Sequence, residues 1–229
     1  MDGTAAEPLD LAVDPHTRVS ALLDAPAEAR AALVLAHGAG AGMRHPFMAG
    51  VAASLARRGI ACLRYQFPSM ERGVRRPDAP AVAHATVRAA VTTASLRLPG
   101  LPLFAGGKSF GGRMTSQAQA AAPLPGVRGL VFLGFPLHPA GKPDDARAAH
   151  LTEVRVPMLF LQGTRDALAD LALLQPVLAR LGPRATLHRL DDADHSFHVP
   201  ARSGRNDAEV LQSLVDALVH WIHVQSPAA

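Results

Sequence analysis

The sequence has few of the residues on which disulfide-linked, metal-binding and membrane-spanning proteins depend. Cys62 is the only cysteine among 229 residues, so the chain can form neither an internal disulfide nor a cysteine-based metal site. It lies in an apolar run at residues 60–63, where we expect a small core residue. No stretch approaches the ~20 apolar residues of a membrane-spanning helix. We therefore expect no membrane partner and, from the acidic N-terminal segment, a cytoplasmic protein.

Lysine is also scarce, and the distribution of charge argues against a polyanionic partner. Only Lys108 and Lys142 are lysines; the rest of the 23 basic residues are arginines, set against 19 acidic residues. The arginines are scattered except for a short group at residues 72–76, and aromatic residues make up only 4% of the chain. A nucleic-acid interface combines a clustered basic patch with recognisable motifs. We therefore expect no nucleic-acid partner.

Apolar runs of strand length alternate with segments of helical length. Strands that are apolar throughout and separated by helices predict a parallel sheet covered on both faces. We therefore predict one α/β domain over residues 1–229, with a doubly wound, mostly parallel sheet flanked by helices and a loosely ordered arm at residues 1–15. Strands are predicted at residues 30–36, 60–67, 101–105, 127–135, 156–162 and 185–190. Helices are predicted at residues 45–58 and 113–122, and a third is predicted to begin at a cap at Asp78 and to end near residue 98. A fourth helix is predicted to end near residue 181, and the last to begin at a capping box formed by Asn206 and Glu209.

The stretch LPLFAGGKSFGGR, residues 101–113, places Ser109 among glycines at the end of a predicted strand. Glycine inside a regular element costs roughly 0.5–1 kcal/mol relative to alanine, so this clustering indicates a geometric requirement. In a G-x-S-x-G nucleophile elbow a strand turns abruptly into a helix, and Gly107 and Gly111 stand where the two backbones nearly touch. The alternative is a loop with a serine helix cap. The strand before and the helix after favour the elbow.

Two further polar groups follow later strands. A serine hydroxyl needs a base within hydrogen-bond reach, and that base needs an orienting group. Asp166 follows one predicted strand and His195 follows the next, giving the chain order Ser, Asp, His that α/β-hydrolases use. Asp170 and His198 are the rival acid and base, and each lies farther from its strand end. The sequence therefore predicts Ser109, Asp166 and His195 as a catalytic triad.

Acyl transfer also needs hydrogen-bond donors for the oxyanion. One is predicted to be the backbone N–H of Phe110, directly after the serine. The other is predicted in the loop HGAGAG, residues 37–42, where Ala39 follows His37 and Gly38. A phosphate-binding glycine loop is the competing interpretation, but the stretch does not match G-x-x-x-x-G-K-[ST] or a Rossmann fingerprint. His37 is expected to brace the loop.

The loops around the predicted site suggest a shallow, open pocket. Too few residues separate the strand ending near 135 from the next to hold a lid domain. His45 and His138 are candidates for lining the pocket or its rim. The basic segment at residues 68–80 follows a strand end, so Arg72, with Arg75 and Arg76, could bind an anionic substrate. The alternative is that these arginines are solvated or neutralised by nearby acids.

Taken together, several motifs resemble a known family. HGAGAG, GGKSFGGR, FPLHPAGKP, LQGTRD, ADHSFHV and RSGRND are similar to the α/β-hydrolase-like domain family that includes testis-expressed protein 30 and the third subunit of the NSL chromatin complex, with a looser similarity to dienelactone hydrolases. The resemblance spans about residues 30–223. It implies an α/β-hydrolase fold with Ser109, Asp166 and His195 as the triad. Dienelactone hydrolases use a cysteine where this chain has serine.

The expected function is that of a serine hydrolase of the carboxylesterase type, acting on a small acyl substrate through an acyl-enzyme. No cofactor and no metal are expected, and the chain is expected to be a monomer or homodimer. The alternative is a non-catalytic interaction module on the same fold, because a fold does not fix a function.

Overall fold

An eight-stranded sheet runs through residues 6–226, the part of the chain that the computed structural model describes. The strands are β1 (Glu7–Ala12), β2 (Arg18–Asp24), β3 (Ala31–Ala36), β4 (Ile60–Tyr65), β5 (Leu103–Lys108), β6 (Val127–Leu133), β7 (Met158–Gly163) and β8 (Ala185–Leu190). Their order in space is β1-β2-β4-β3-β5-β6-β7-β8. The pairings β1–β2 and β2–β4 are antiparallel and all others are parallel.

Helices cover both faces of the sheet, as the unbroken apolar strands require. The helices are α1 (Pro46–Ala56), α2 (Pro68–Glu71), α3 (Pro80–Arg97), α4 (Phe110–Ala121), α5 (Leu171–Leu181) and α6 (Asp207–Val224), with 3₁₀ segments at Ala146–Glu153, Gly182–Arg184 and Ala201–Ser203. One buried apolar cluster joins the sheet to α1 and α6, and a second joins it to α3, α4 and α5. The doubly wound, mostly parallel architecture is therefore confirmed.

Two local expectations are wrong. The expected N-terminal arm contains β1, which pairs with β2 over its full length; residues 1–5 of that arm lie outside the described residues. Asp78 does not cap α3, because its carboxylate accepts the backbone N–H of Ser69 at 2.8 Å and Ala79 is the capping residue. The capping box of Asn206 and Glu209 at the start of α6 is confirmed.

The connection between β6 and β7 is short. Residues 134–157 contain one 3₁₀ segment, Ala146–Glu153, and no inserted domain, so the carboxyl ends of the central strands are not covered by a lid. Cys62 is fully buried in β4, as expected of a core residue. None of the helices within residues 6–226 is long and apolar enough to cross a membrane.

Candidate active site

Ser109 occupies a strained turn between β5 and α4. Its φ and ψ are 50° and −114°, in a region that residues other than glycine rarely adopt. A Cβ on Gly107 would lie 2.5 Å from the Ala36 carbonyl oxygen, and one on Gly111 would lie 2.6 Å from that of His37. Both glycines are therefore needed because the elbow presses against the end of β3. The strain places the hydroxyl of Ser109 at the carboxyl edge of the sheet.

The structure brings Ser109, His195 and Asp166 together from three loops. His195 Nε2 lies 2.8 Å from Ser109 Oγ, and His195 Nδ1 lies 2.7 Å from Asp166 Oδ2. Because a carboxylate oxygen accepts, the Nδ1 nitrogen carries the proton and donates a hydrogen bond to Asp166. The Nε2 lone pair is then directed at the serine hydroxyl, which is the tautomer a general base needs.

The Asp166 carboxylate is buried and held by donors on both oxygens. Oδ1 accepts the Leu168 backbone N–H at 2.8 Å, and Oδ2 accepts the Gln162 side-chain amide at 2.6 Å as well as the imidazole. The amide of Gln162 has a fixed orientation, since its oxygen accepts the Phe135 backbone N–H at 3.0 Å. Sequence reasoning did not identify Gln162 as a partner of the acid.

The rival acid and base have other partners. Asp170 caps α5 by accepting the Ala172 N–H at 2.8 Å. His198 is exposed and pairs with Asp207 at 2.9 Å. Asp194 accepts the backbone N–H groups of Ser196 and His198, which fixes the loop that carries His195. Neither rival contacts Ser109.

The two predicted oxyanion donors lie on either side of the elbow. Phe110 is the first residue of α4, and the N–H groups of a first helical turn have no partner within the helix. On the other side, the Gly38 carbonyl is held by His37 Nδ1 at 2.7 Å and by the Ala41 N–H at 3.3 Å. Since the peptide unit is planar and trans, fixing this carbonyl also fixes the N–H of Ala39 in the opposite direction.

His37 braces this loop as expected. Its Nε2 accepts the Phe67 backbone N–H at 3.1 Å, so Nδ1 must be the protonated nitrogen that donates to Gly38. The ring is buried and packs edge-on against Phe67, and burial lowers its pKa below the ordinary value. His37 is therefore a neutral link between the ends of β3 and β4.

A pocket of about 340 Å³ opens over Ser109 and His195. Its walls are mostly small or apolar, with Phe47, Met48 and Leu168 as the large apolar members. His45 also lines it, at the start of α1, where its Nδ1 accepts the Phe47 N–H at 3.2 Å. The complete lining is Gly38, Ala39, Ala41, His45, Phe47, Met48, Lys108, Ser109, Leu168, His195 and Ser196.

Residues 29–223 match the model of a family described as an alpha/beta hydrolase domain. The chain belongs to this family.

Solved structures of hydrolases share the fold at low sequence identity. A lidless α/β serine hydrolase from Xanthomonas campestris is 22% identical, with a TM-score of 0.73 over 100% of this chain and 99% of the other. A dienelactone hydrolase from Anabaena variabilis is 20% identical, with a TM-score of 0.75 over 96% and 97%. The esterase domain of a Rhodothermus marinus protein is 16% identical, with a TM-score of 0.71 over 94% and 97%.

Two of the predicted substrate contacts lie elsewhere in the hydrolase. His138 is buried, not on the rim: Nδ1 bonds the Pro139 carbonyl at 2.9 Å and Nε2 accepts the Asp170 N–H at 3.1 Å, so both nitrogens are used by backbone. Arg72 lies beside Asp78, 3.6 Å away, in a groove that does not contain Ser109. Arg75 packs over Gly40, in the loop that carries Ala39.

Lys108, between Gly107 and Ser109, is a second residue that sequence reasoning missed. It lines the pocket, and its ammonium group donates a hydrogen bond to the backbone carbonyl of His195. The ammonium also lies 5.0 Å from the centre of the Phe197 ring. Burial lowers the pKa of Lys108 to about 8, although the carboxylates of Asp166 and Asp194 act to raise it. The available signal was the rarity of lysine in a chain that otherwise uses arginine.

The hydrolase contains another serine–histidine contact, between α4 and the 3₁₀ segment Ala146–Glu153. Ser116 Oγ lies 2.7 Å from His150 Nε2 and donates to the Arg113 carbonyl at 2.9 Å. With its one proton given to that carbonyl, the hydroxyl must accept from the imidazole. Ser116 is fully buried and is not among the residues that line the pocket over Ser109. The pKa of His150 is lowered to about 4, mainly by burial of the ring and to a smaller extent by the Arg113 charge.

Proposed function

We propose that this protein is a serine esterase in which Ser109 is the nucleophile, His195 the general base and Asp166 the orienting acid. The observation that carries the proposal is the continuous hydrogen-bonded series from Asp166 through His195 to Ser109, with distances of 2.7 and 2.8 Å, at the floor of a pocket. The strained elbow adds weight, since backbone strain of this kind concentrates at functional sites.

In the proposed reaction Ser109 Oγ attacks the ester carbonyl carbon while its proton moves to His195 Nε2. The charge that develops on the carbonyl oxygen is stabilised by the N–H groups of Ala39 and Phe110, aided by the positive end of the α4 dipole. The imidazolium then protonates the departing alcohol. Water then enters, and its oxygen attacks the acyl carbon while one of its protons moves to the His195 imidazole. The imidazolium returns that proton to Ser109 Oγ as the bond between Oγ and the acyl carbon breaks and the carboxylic acid leaves.

The pocket supports a small acyl group as the substrate. Its volume of about 340 Å³ is at the lower end of the range of small-molecule sites, and it is not covered by a lid. Phe47, Met48 and Leu168 offer an apolar surface for an acyl chain of a few carbons or a single ring. We expect the highest kcat/KM on acetyl to butyryl esters and a steep fall for acyl chains that exceed the pocket.

A fluorophosphonate probe followed by peptide mapping tests the proposal. The expected result is a single phosphonylated peptide carrying Ser109, no labelling of Ser109→Ala, and hydrolysis of p-nitrophenyl acetate that the probe abolishes. Ser116→Ala is the matched control and should label like the wild type. Absence of both labelling and ester hydrolysis in a folded wild-type sample would overturn the proposal in favour of a non-catalytic module.

A further inference from the structure

The ammonium group of Lys108 lies in a small enclosure behind the imidazole of His195. The position that a Cβ on Gly134 would occupy is 3.1 Å from Lys108 Nζ, 3.5 Å from Asp166 Oδ2 and 3.5 Å from His195 Cε1. Gly134 has a φ of 70°, which disfavours any side chain there. The ammonium of Lys108, the carboxylate of Asp166 and the imidazole of His195 therefore surround Gly134, which has no side chain to fill the space between them.

The hydrogen bond from Lys108 connects two loops that the sheet keeps apart. The elbow follows β5 and the loop of His195 follows β8, with β6 and β7 between them in the sheet. Lys108 immediately precedes the nucleophile, and its side chain reaches the backbone carbonyl of the base. Lys108 therefore links the elbow directly to the main chain of His195, whose imidazole must stay aligned with Ser109.

An ammonium group suits this place for electrostatic reasons. It faces the carboxylates of Asp166 and Asp194 and lies over the Phe197 ring, which itself stacks on Phe47 of the pocket wall. A charged donor makes a stronger hydrogen bond to a carbonyl than a neutral one does. Because the pKa of Lys108 is about 8, the charged form predominates at pH 7.

We propose that Lys108 is a positioning residue that fixes His195 over Ser109 by holding the His195 carbonyl from the elbow. This inference rests on the proposed function, in which Ser109 and His195 carry out the chemistry. Lys108 acts through His195 and has no contact with the reacting atoms, so its removal should lower kcat and leave KM within about twofold.

Replacement and chemical restoration of the ammonium test this role. Lys108→Met and Lys108→Cys should each lower kcat roughly 10²-fold, the effect expected when a catalytic group is misplaced by about 1 Å. Treating the Lys108→Cys variant with 2-bromoethylamine alkylates the introduced thiol to an aminoethyl thioether of nearly the length of lysine, with bromide as the leaving group. This treatment should restore kcat to within about fivefold of wild type.

The chain provides its own controls for this experiment. Cys62 is fully buried and burial raises the pKa of its thiol to about 12, so treated wild type should stay unmodified by mass spectrometry. Lys142→Met removes the only other lysine, in an exposed loop, and should leave kcat unchanged. If Lys108→Met does not fold, Lys108→Gln retains a neutral donor and takes its place.

The outcomes separate this inference from the proposed function. Unchanged kcat in Lys108→Met, a rise in KM alone, or full alkylation without recovery would each overturn the positioning role. If wild type lacks ester hydrolysis, the proposed function fails, but the Nδ1–H resonance of His195 in ¹⁵N-histidine NMR still reports on position. That resonance, assigned with His195→Asn, should be sharp in wild type and broadened in Lys108→Met; equal line widths would contradict the inference.

Discussion

Two serine–histidine contacts in one molecule have nearly the same length and opposite chemical character. Ser109 and His195 lie 2.8 Å apart, and Ser116 and His150 lie 2.7 Å apart. The buried carboxylate of Asp166 accepts a hydrogen bond from the Nδ1–H of His195, which leaves Nε2 as an acceptor. The charge of Arg113 disfavours protonation of His150, and within residues 6–226 no carboxylate bonds the His150 ring. Distance alone therefore does not identify a nucleophile.

The backbone makes the same distinction. Ser109 occupies a turn with positive φ at a helix N-terminus and lines a pocket. Ser116 lies in the second turn of α4, where the hydroxyl bonds back to the helix. A hydroxyl used to satisfy a helix carbonyl has no proton to give a base. The second contact is a packing interaction between α4 and the 3₁₀ segment that follows β6.

The largest expected effect is the difference between the two serines. Ser109→Ala should lower kcat for p-nitrophenyl acetate roughly 10⁴-fold or more, since loss of a nucleophile removes the covalent route. Ser116→Ala should change kcat less than twofold. It should lower the free energy of unfolding by about 1–3 kcal/mol, because it leaves a buried imidazole N–H without a partner. Steady-state kinetics and urea unfolding of both variants test this prediction. Loss of activity in Ser116→Ala with unchanged kcat in Ser109→Ala would exclude Ser109 as the nucleophile.

The next effect concerns the acid. Asp166→Asn should lower kcat by about 10³–10⁴-fold, because an amide donating to Nδ1 favours the wrong imidazole tautomer. Asp170→Asn, at the cap of α5, is the matched control and should keep its rate. Comparable loss in both variants would point to the folding of the loop after β7 and not to the tautomer of His195.

A smaller effect is expected at the oxyanion loop. His37→Phe keeps a buried ring but removes the Nδ1 hydrogen bond to the Gly38 carbonyl and the Nε2 bond to the Phe67 N–H, while the Ala41 N–H still bonds that carbonyl. We expect kcat to fall roughly 10–100-fold, less than the loss of a whole donor. His138→Phe is a close match, because His138 is also buried with both nitrogens bonded to backbone. It should destabilise the protein to a similar degree and leave kcat within about twofold. Equal kinetic losses would refute the role of His37.

The smallest effect is a dependence of stability on pH at the second contact. His150 has a lowered pKa of about 4 in the folded protein, whereas an unfolded imidazole titrates near the ordinary 6.5. The unfolded chain therefore binds the proton more tightly, and the contribution of His150 is complete above pH ~6.5 and lost as pH falls toward 4. The gap in urea midpoint between wild type and His150→Gln should narrow between pH 7 and pH 4.5. A constant gap would contradict this assignment.

The residues that could be predicted from the sequence are those whose roles follow from position along the chain. Ser109, Asp166 and His195 each follow a strand, and strands of a parallel sheet end at one edge, so their meeting could be inferred. Lys108, Gln162 and His138 could not be assigned in this way, because their roles depend on which way a side chain turns once neighbouring loops are in place. The hairpin of β1 and β2 was missed because an edge strand with mixed polarity lacks the apolar pattern of the central strands.

The hairpin of β1 and β2 sets a limit on how this chain can be shortened. The family match starts at residue 29 and leaves the hairpin out, yet β2 pairs with β4, and Asp24 of β2 forms a buried ion pair with Arg64 at 2.8 Å. A chain cut at residue 29 would lose both the Asp24 carboxylate that pairs with Arg64 and the strand that pairs with β4. It would also expose the edge of β4 to intermolecular strand pairing. The boundary recognised by sequence similarity is therefore not a boundary at which the protein can be truncated.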